Sequence, residues 1–216
     1  MPRISQMTKN KMKQDVENKI IDAARELFYE KGFTGVTVRD IAGKAEVNLA
    51  LLHYYFRTKD KIFEIVFKDA FVLLFRKLNK ALSSNVNLFE KIELIVESYI
   101  TTATKHPRLA SFIMHEMSVN KELVWQIIHS QDGKKDINSN YIRFFQEIRD
   151  AGQNGLIKNI DPKILFIDIM SLSLFPFMAN VFVTGFLYSE KKAGFNEMTK
   201  SRVSHVSGLI ISNLKE

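Results

Sequence analysis

Two helix starts lie almost side by side in this chain, and they limit what it can fold into. Thr37-Val38-Arg39-Asp40 has the form of a capping box, with Thr37 as N-cap and Asp40 at the third helical position, and Asn48 is the next good N-cap. The first helix can extend only to about Ala45, with Val38, Ile41, Ala42 and Ala45 inward, and the second covers Leu49 to Phe56. Helices below roughly 12–15 residues are marginal in water. Joined only by Glu46-Val47, these two must pack on something close by, and the chain supplies it upstream. Ile20, Ile21, Ala24, Leu27 and Phe28 form one apolar stripe on a helix from about Asp15 to Lys31, stopped by Gly32. The three helices make a helix-turn-helix unit, with Ile41, Ala42, Ala45, Val47 and Leu52 pointing inward; in this arrangement the second helix enters the DNA major groove.

The rest of the chain also reads as helices. Thr58 caps a long one at about 59–82, and others follow at about 88–105, 107–118 with Pro107 in first position, 121–130 and 136–152. The last two are 162–188, interrupted near Pro176, and 196–214. Nine Gly and four Pro in 216 residues are too few for the turns of a strand-rich fold. The expected fold class is all-α. A flexible basic arm at 1–14 precedes a DNA-binding domain at 15–60 and a larger regulatory domain at 61–216.

The formal charge is +7, and residues 1–60 carry 11 basic against eight acidic side chains, which makes them the denser positive segment. No cysteine is present, so disulfides, thiolate nucleophiles and Cys-ligated metals are excluded. His115-Glu116 lacks a second ligand four residues on, and no Walker sequence, serine elbow or carboxylate–histidine grouping occurs, so no metal, cofactor or enzymatic activity is expected. The amino terminus has no apolar core, and a cytoplasmic protein is expected. Ile169–Ser189 runs 21 residues without a charge, long enough to span a bilayer. Ser171, Ser173, Pro176, Asn180 and Thr184 within it favour a subunit interface or core, and no membrane partner is expected.

The exposed face of the second short helix presents Leu49, Ala50, His53 and Tyr54, with Tyr55 toward one edge and Arg57 and Lys59 past its end. Aromatic rings with polar tips suit thymine methyls and phosphates together, and lysine neutralises phosphate. Phe56 reads as core, and Tyr55 could be either core or contact. At these residues the sequence resembles the TetR family of bacterial transcriptional regulators. The resemblance runs over about residues 15–75 and rests on AARELFYEKGF, TVRDIA and YYFRTKD in order. It implies that Thr37, Val38 and Arg39 contact DNA backbone or bases, and that Leu49, Ala50 and Leu51 open the recognition helix. It also implies that His53, Tyr54 and Tyr55 clamp phosphates and bases, and that Lys59 binds phosphate. Glu46 departs from the family's usual glycine in the turn and must adopt a left-handed conformation at about 1 kcal/mol. Leu51 and His53 also depart from the usual residues, so the operator sequence is not predicted.

Beyond about residue 80 the resemblance is to the family's plan, a helical body that dimerises through its last two long helices and often encloses a ligand. The body contains 14 of the 17 Phe. Tyr99, Phe112, His115, Phe144 and Met170 are candidate lining residues of a ligand pocket, and side chains of this kind could equally fill a core. The expected protein is a homodimeric regulator, a repressor on palindromic double-stranded operator DNA, released by a small apolar or amphipathic ligand. A helix-turn-helix regulator controlled by abundance or a protein partner is the alternative. A membrane-associated protein or a helical enzyme ranks behind both.

Overall fold

Local signals account for most of the element boundaries. The computed structural model describes residues 3–129, 134–188 and 192–215, which are helical throughout apart from turns and contain no strand. The helices are α1 (Arg3–Lys31), α2 (Val38–Lys44), α3 (Leu49–Phe56), α4 (Lys59–Leu82), α5 (Leu88–Lys105) and α6 (Leu109–Val119). Then come α7 (Lys121–His129), α8 (Lys134–Gln153), α9 (Pro162–Met178), a single turn α10 (Asn180–Phe182) continuing into a π-helix at Val183–Leu187, and α11 (Lys192–Leu214). The protein is all-α with a helix-turn-helix head.

Three boundaries differ from expectation. The first helix begins at Arg3, so most of the segment expected as a flexible arm lies in α1. No Gly or Pro interrupts 3–31, and a helix already nucleated downstream propagates through such residues. Pro107 is not the first residue of α6 but sits in a turn before it, closed by the Leu109 N–H on the His106 carbonyl at 3.0 Å. Pro176 does not end its helix; α9 continues to Met178 and breaks at Ala179.

The chain divides into two compact units, one of Met1–Ala70 with Phe112–Ile127, the other of Phe71–Ser111 with Ile128–Glu216. The first is built on aromatic packing. Phe28, Phe63 and Phe67 are fully buried. Phe63 lies edge-on to Phe28 with centroids 5.5 Å apart, and Phe112 adds its ring at 6.2 Å from Phe63 and 4.7 Å from Tyr29. Residues 112–127, read from sequence as body, therefore pack with the head. Asp69, a polar residue in the apolar pattern of α4, reaches Arg25 of α1 at 3.0 Å.

In the second unit α5 packs on α9 and α11, and α8 on α9. Lys91 is buried on α5 and paired with Glu147 of α8 at 2.6 Å, which answers the cost of burying its charge. Pro176 has no N–H for the Leu172 carbonyl one turn back, and Arg202 of α11 donates to that carbonyl at 2.8 Å. No single helix among the described residues is long and apolar enough to cross a membrane; α9 and 180–187 reach that length only together, bent by 62°.

Arg202→Met should cost about 2 kcal/mol, the scale of a hydrogen bond to a charged donor. In a Pro176→Ala background, where residue 176 regains an N–H for Leu172, the same change should cost much less. Urea denaturation of the four proteins measures this, and equal costs in both backgrounds would contradict the clasp.

Candidate nucleic-acid interface

The turn between α2 and α3 is built from the expected caps. Thr37 Oγ1 accepts from the Asp40 N–H at 3.2 Å and donates to Asp40 Oδ2 at 2.7 Å, while the Thr37 N–H reaches the same carboxylate at 2.8 Å. Those bonds, from the Thr37 hydroxyl first and its N–H second, hold the Asp40 carboxyl below the usual carboxylate range. Asn48 Oδ1 accepts from the Leu51 N–H at 2.7 Å and opens α3. Between the caps Glu46 takes φ +56°, the left-handed conformation expected there, and the Val47 N–H closes on the Ala42 carbonyl at 3.0 Å. Ile41, Ala42, Ala45, Leu52 and Phe56 are buried, and Lys44 pairs with Glu26 of α1 at 2.7 Å.

With that face buried, Ala50, His53 and Tyr54 are exposed at helical spacing on α3, and Arg57, its C-cap at φ +57°, is exposed just past its end. Tyr54 is 74% exposed and stands edge-on to Tyr55 with centroids 5.3 Å apart. Leu49, Leu51 and Tyr55 are half-buried at its margins. His53 Nδ1 lies 3.0 Å from the Arg57 carbonyl, so that nitrogen donates there and Nε2 is the one presented outward. On α2, Arg39 is exposed and Val38 half-buried, while Thr37 is exposed but has its hydroxyl proton committed to Asp40. A row of small, aromatic and cationic side chains on a helix held from behind is suited to major-groove edges and phosphates.

Lys59 sits differently from the phosphate contact expected of it. Its ammonium donates to the carbonyls of Phe33 and Val36, each at 2.9 Å, and lies 4.1 Å from the centroid of the Phe33 ring. Two of its three donors are thus spent on the turn between α1 and α2. The same turn is held from its other side by Glu116 of α6, which is fully buried. Glu116 Oε1 accepts from the Phe33 N–H at 2.8 Å, and Oε2 from the Asn120 amide at 2.5 Å. Gly32 makes room for this: its φ is +68°, and a Cβ there would come within 3.1 Å of both Glu116 Oε1 and His115 Nε2. Sequence reasoning weighed Glu116 only beside His115, as a metal or polar-anchor pair, although an acid inside the apolar run Phe112–Met117 was a signal of a buried partner.

The five candidate pocket residues are divided between the two units. Phe112 and His115 fall in the first unit, Phe112 in the aromatic core and His115 exposed. Tyr99, Phe144 and Met170 fall in the second, where Tyr99 and Phe144 are core. Tyr99 neighbours Tyr141, and burial raises both phenols well above their ordinary range. A surface groove of about 640 Å³ lies between α5 and α11, floored by Leu94 and Val203 and rimmed by Glu90, Glu93 and Glu97, with none of the five lining it.

Glu46→Gly should raise stability by about 1 kcal/mol, since glycine enters the left-handed region without a Cβ penalty. Thermal unfolding checks it, and a variant no more stable than the parent would mean that the turn stores no strain.

The comparisons with known proteins agree with this geometry. Residues 20–66 match the family model described as bacterial regulatory proteins, tetR family. The chain is 29% identical over 182 residues to the "Probable HTH-type transcriptional regulator YttP" of Bacillus subtilis, covering 83% of this chain and 85% of that one. It is 37% identical over 97 residues to IcaR of Staphylococcus aureus, the negative transcriptional regulator of the biofilm operon icaADBC, covering 39% of this chain and half (50%) of that relative. Its fold is shared with the transcriptional regulator FadR of Bacillus subtilis, solved in complex with stearoyl-CoA, at a TM-score of 0.61 and 20% identity over 92% of this chain and 99% of that one. With its capped helix-turn-helix and exposed recognition face, the segment 20–66 is a DNA-binding head of the bacterial tetR family of regulatory proteins, and the chain as a whole is similar to regulators that carry such a head.

Proposed function

We propose that the protein is a homodimeric repressor. It binds a palindromic operator through α3, and a small apolar or amphipathic ligand taken up by its helical body lowers operator affinity. The observation that carries the DNA contact is the exposed row Ala50, His53 and Tyr54 on a helix whose opposite face is core, with exposed Arg57 just past its end. Arg39 and the half-buried Val38, Leu49, Leu51 and Tyr55 flank it. Thr37 contributes through its position at the cap, and Lys59 through the one donor left to it. IcaR, a negative regulator, supports repression.

Dimerisation is supported by α9. Its buried face includes Leu165, Ile169 and Phe177, while Ile164, Ile167, Phe175 and Met178 form a second apolar stripe that is exposed, beside exposed Leu209 of α11. A helix apolar on both faces needs a partner on each, and a second copy offers the same stripe about a twofold axis. Two heads would then address half-sites about 34–36 Å apart. FadR's stearoyl-CoA supports an acyl-type ligand. Ligand response has a route through α6, because Glu116 cannot leave Phe33 without stranding a buried charge.

Anisotropy with a duplex from the DNA upstream of the protein's own gene, against a scrambled duplex, tests the DNA reading. Tight binding to the native duplex alone is expected, and Tyr54→Ala should weaken it about tenfold or more while leaving the unfolding temperature unchanged. A loss of stability like that of a core substitution would remove Tyr54 from the contact surface. Phe175→Glu should convert the dimer to monomer by light scattering; a dimer that survives would move the interface elsewhere.

A further inference from the structure

His53 is tied to the end of its own helix through both its backbone and its ring. The Arg57 N–H donates to the His53 carbonyl at 3.0 Å, and Arg57 leaves α3 at φ +57° and ψ −51°. The Arg57 carbonyl in turn lies 3.0 Å from His53 Nδ1. A carbonyl oxygen only accepts, so Nδ1 carries the proton, and the neutral ring keeps a bare lone pair on Nε2. The ring is exposed, and Ala50, one turn earlier on the same face, adds only a methyl group beside it.

The resemblance to the tetR family implies that this position clamps phosphates as well as bases. A bare nitrogen is unsuited to the first task, because phosphate oxygens offer only lone pairs and two acceptors repel. On the floor of the major groove, guanine O6 and N7 and thymine O4 are acceptors too. Adenine N6 and cytosine N4 are the groups that present N–H there. We propose that His53 reads a base and does not hold a phosphate, its Nε2 accepting a hydrogen bond from the amino group of an adenine or a cytosine. The Arg57 carbonyl fixes the tautomer that makes this contact possible, so Arg57 acts here as a positioning residue through its backbone. The proposal rests on the operator reading above and narrows it. His53 favours adenine or cytosine over guanine or thymine on the strand it faces, which is a selection of strand rather than of base pair.

Two measurements on the full chain test this. Long-range proton–nitrogen spectra of the histidine rings, at about pH 8 where histidine is ordinarily neutral, report which ring nitrogen carries the proton. The His53 signals are assigned by their absence in His53→Phe. The proton is expected on Nδ1, and a proton on Nε2 would overturn the proposal with no DNA present. The second measurement is binding of the parent and of His53→Phe, which keeps an aromatic ring but has no acceptor. Each adenine and cytosine of the native duplex is replaced in turn by an analogue without the exocyclic amino group. Weakened base pairing affects both proteins alike, so the difference between them isolates the contact. At one position in each half-site the replacement is expected to weaken the parent about fivefold more than the variant, the scale of one net hydrogen bond. Equal responses at every position would overturn the reading role and leave the ring as a cap of α3 alone. So would a coupling found instead with a guanine analogue without N7, or with an uncharged phosphate analogue. A parent that does not prefer the native duplex to a scrambled one would overturn the operator reading and this assignment with it, while the spectra would still report the tautomer.

Discussion

A single residue, Phe33, is gripped through its backbone from both of its peptide groups, and the hold on the turn that leads into α2 follows from that grip. Its N–H is taken by Glu116 and its carbonyl by Lys59, whose ammonium also lies over its ring. Glu116 is fully buried, and a buried carboxylate is tolerable only while its hydrogen bonds are made. The turn it holds runs four residues on into Thr37, the cap of α2, and α2 positions α3 through Ile41, Ala42 and Leu52. A displacement of α6 either carries the turn with it or leaves a charge unpaired in the core. An element with those two outcomes, and little between them, is what a switch requires.

The second unit answers its own constraints in the same way. Pro176 removes a donor inside α9, and Arg202 from α11 supplies one. Lys91 is buried and Glu147 compensates it. Apolar area also stays exposed, on the outer stripe of α9, on α10, where Val181 is 86% exposed, and on the π-helical segment after it, where Phe186 stacks on Phe182. The Leu172 carbonyl and the Lys91 ammonium find partners within the chain, and the exposed apolar stripe of α9 is the surface on which the proposed dimer interface rests.

The head was legible in the sequence because its signals are local. The caps at Thr37 and Asn48 and the inward set Ile41, Ala42, Ala45 and Leu52 are read over three or four residues, and so is the strained Glu46. The structure has each of them in place. Less legible were contacts between residues far apart in sequence. Lys59 has a cationic head that suits phosphate, yet 26 residues separate it from the carbonyl it holds; Glu116 lies 83 residues from its partner. The candidate pocket residues are divided between the two units, and aromatic side chains at helical spacing do not state which unit they will fill. The early start of α1 had no cap to announce it and depended on the absence of a breaker.

Amide hydrogen exchange at Phe33 tests the central claim most directly. A turn amide ordinarily exchanges fast, and the neighbouring Thr34 and Gly35 are exposed. If Glu116 holds the turn, the Phe33 amide exchanges as slowly as the amides in the middle of α6, and the protection disappears in Glu116→Leu. Exchange at Phe33 as fast as at Thr34 in the parent protein would contradict the grip and, with it, the hold on the turn that leads into α2.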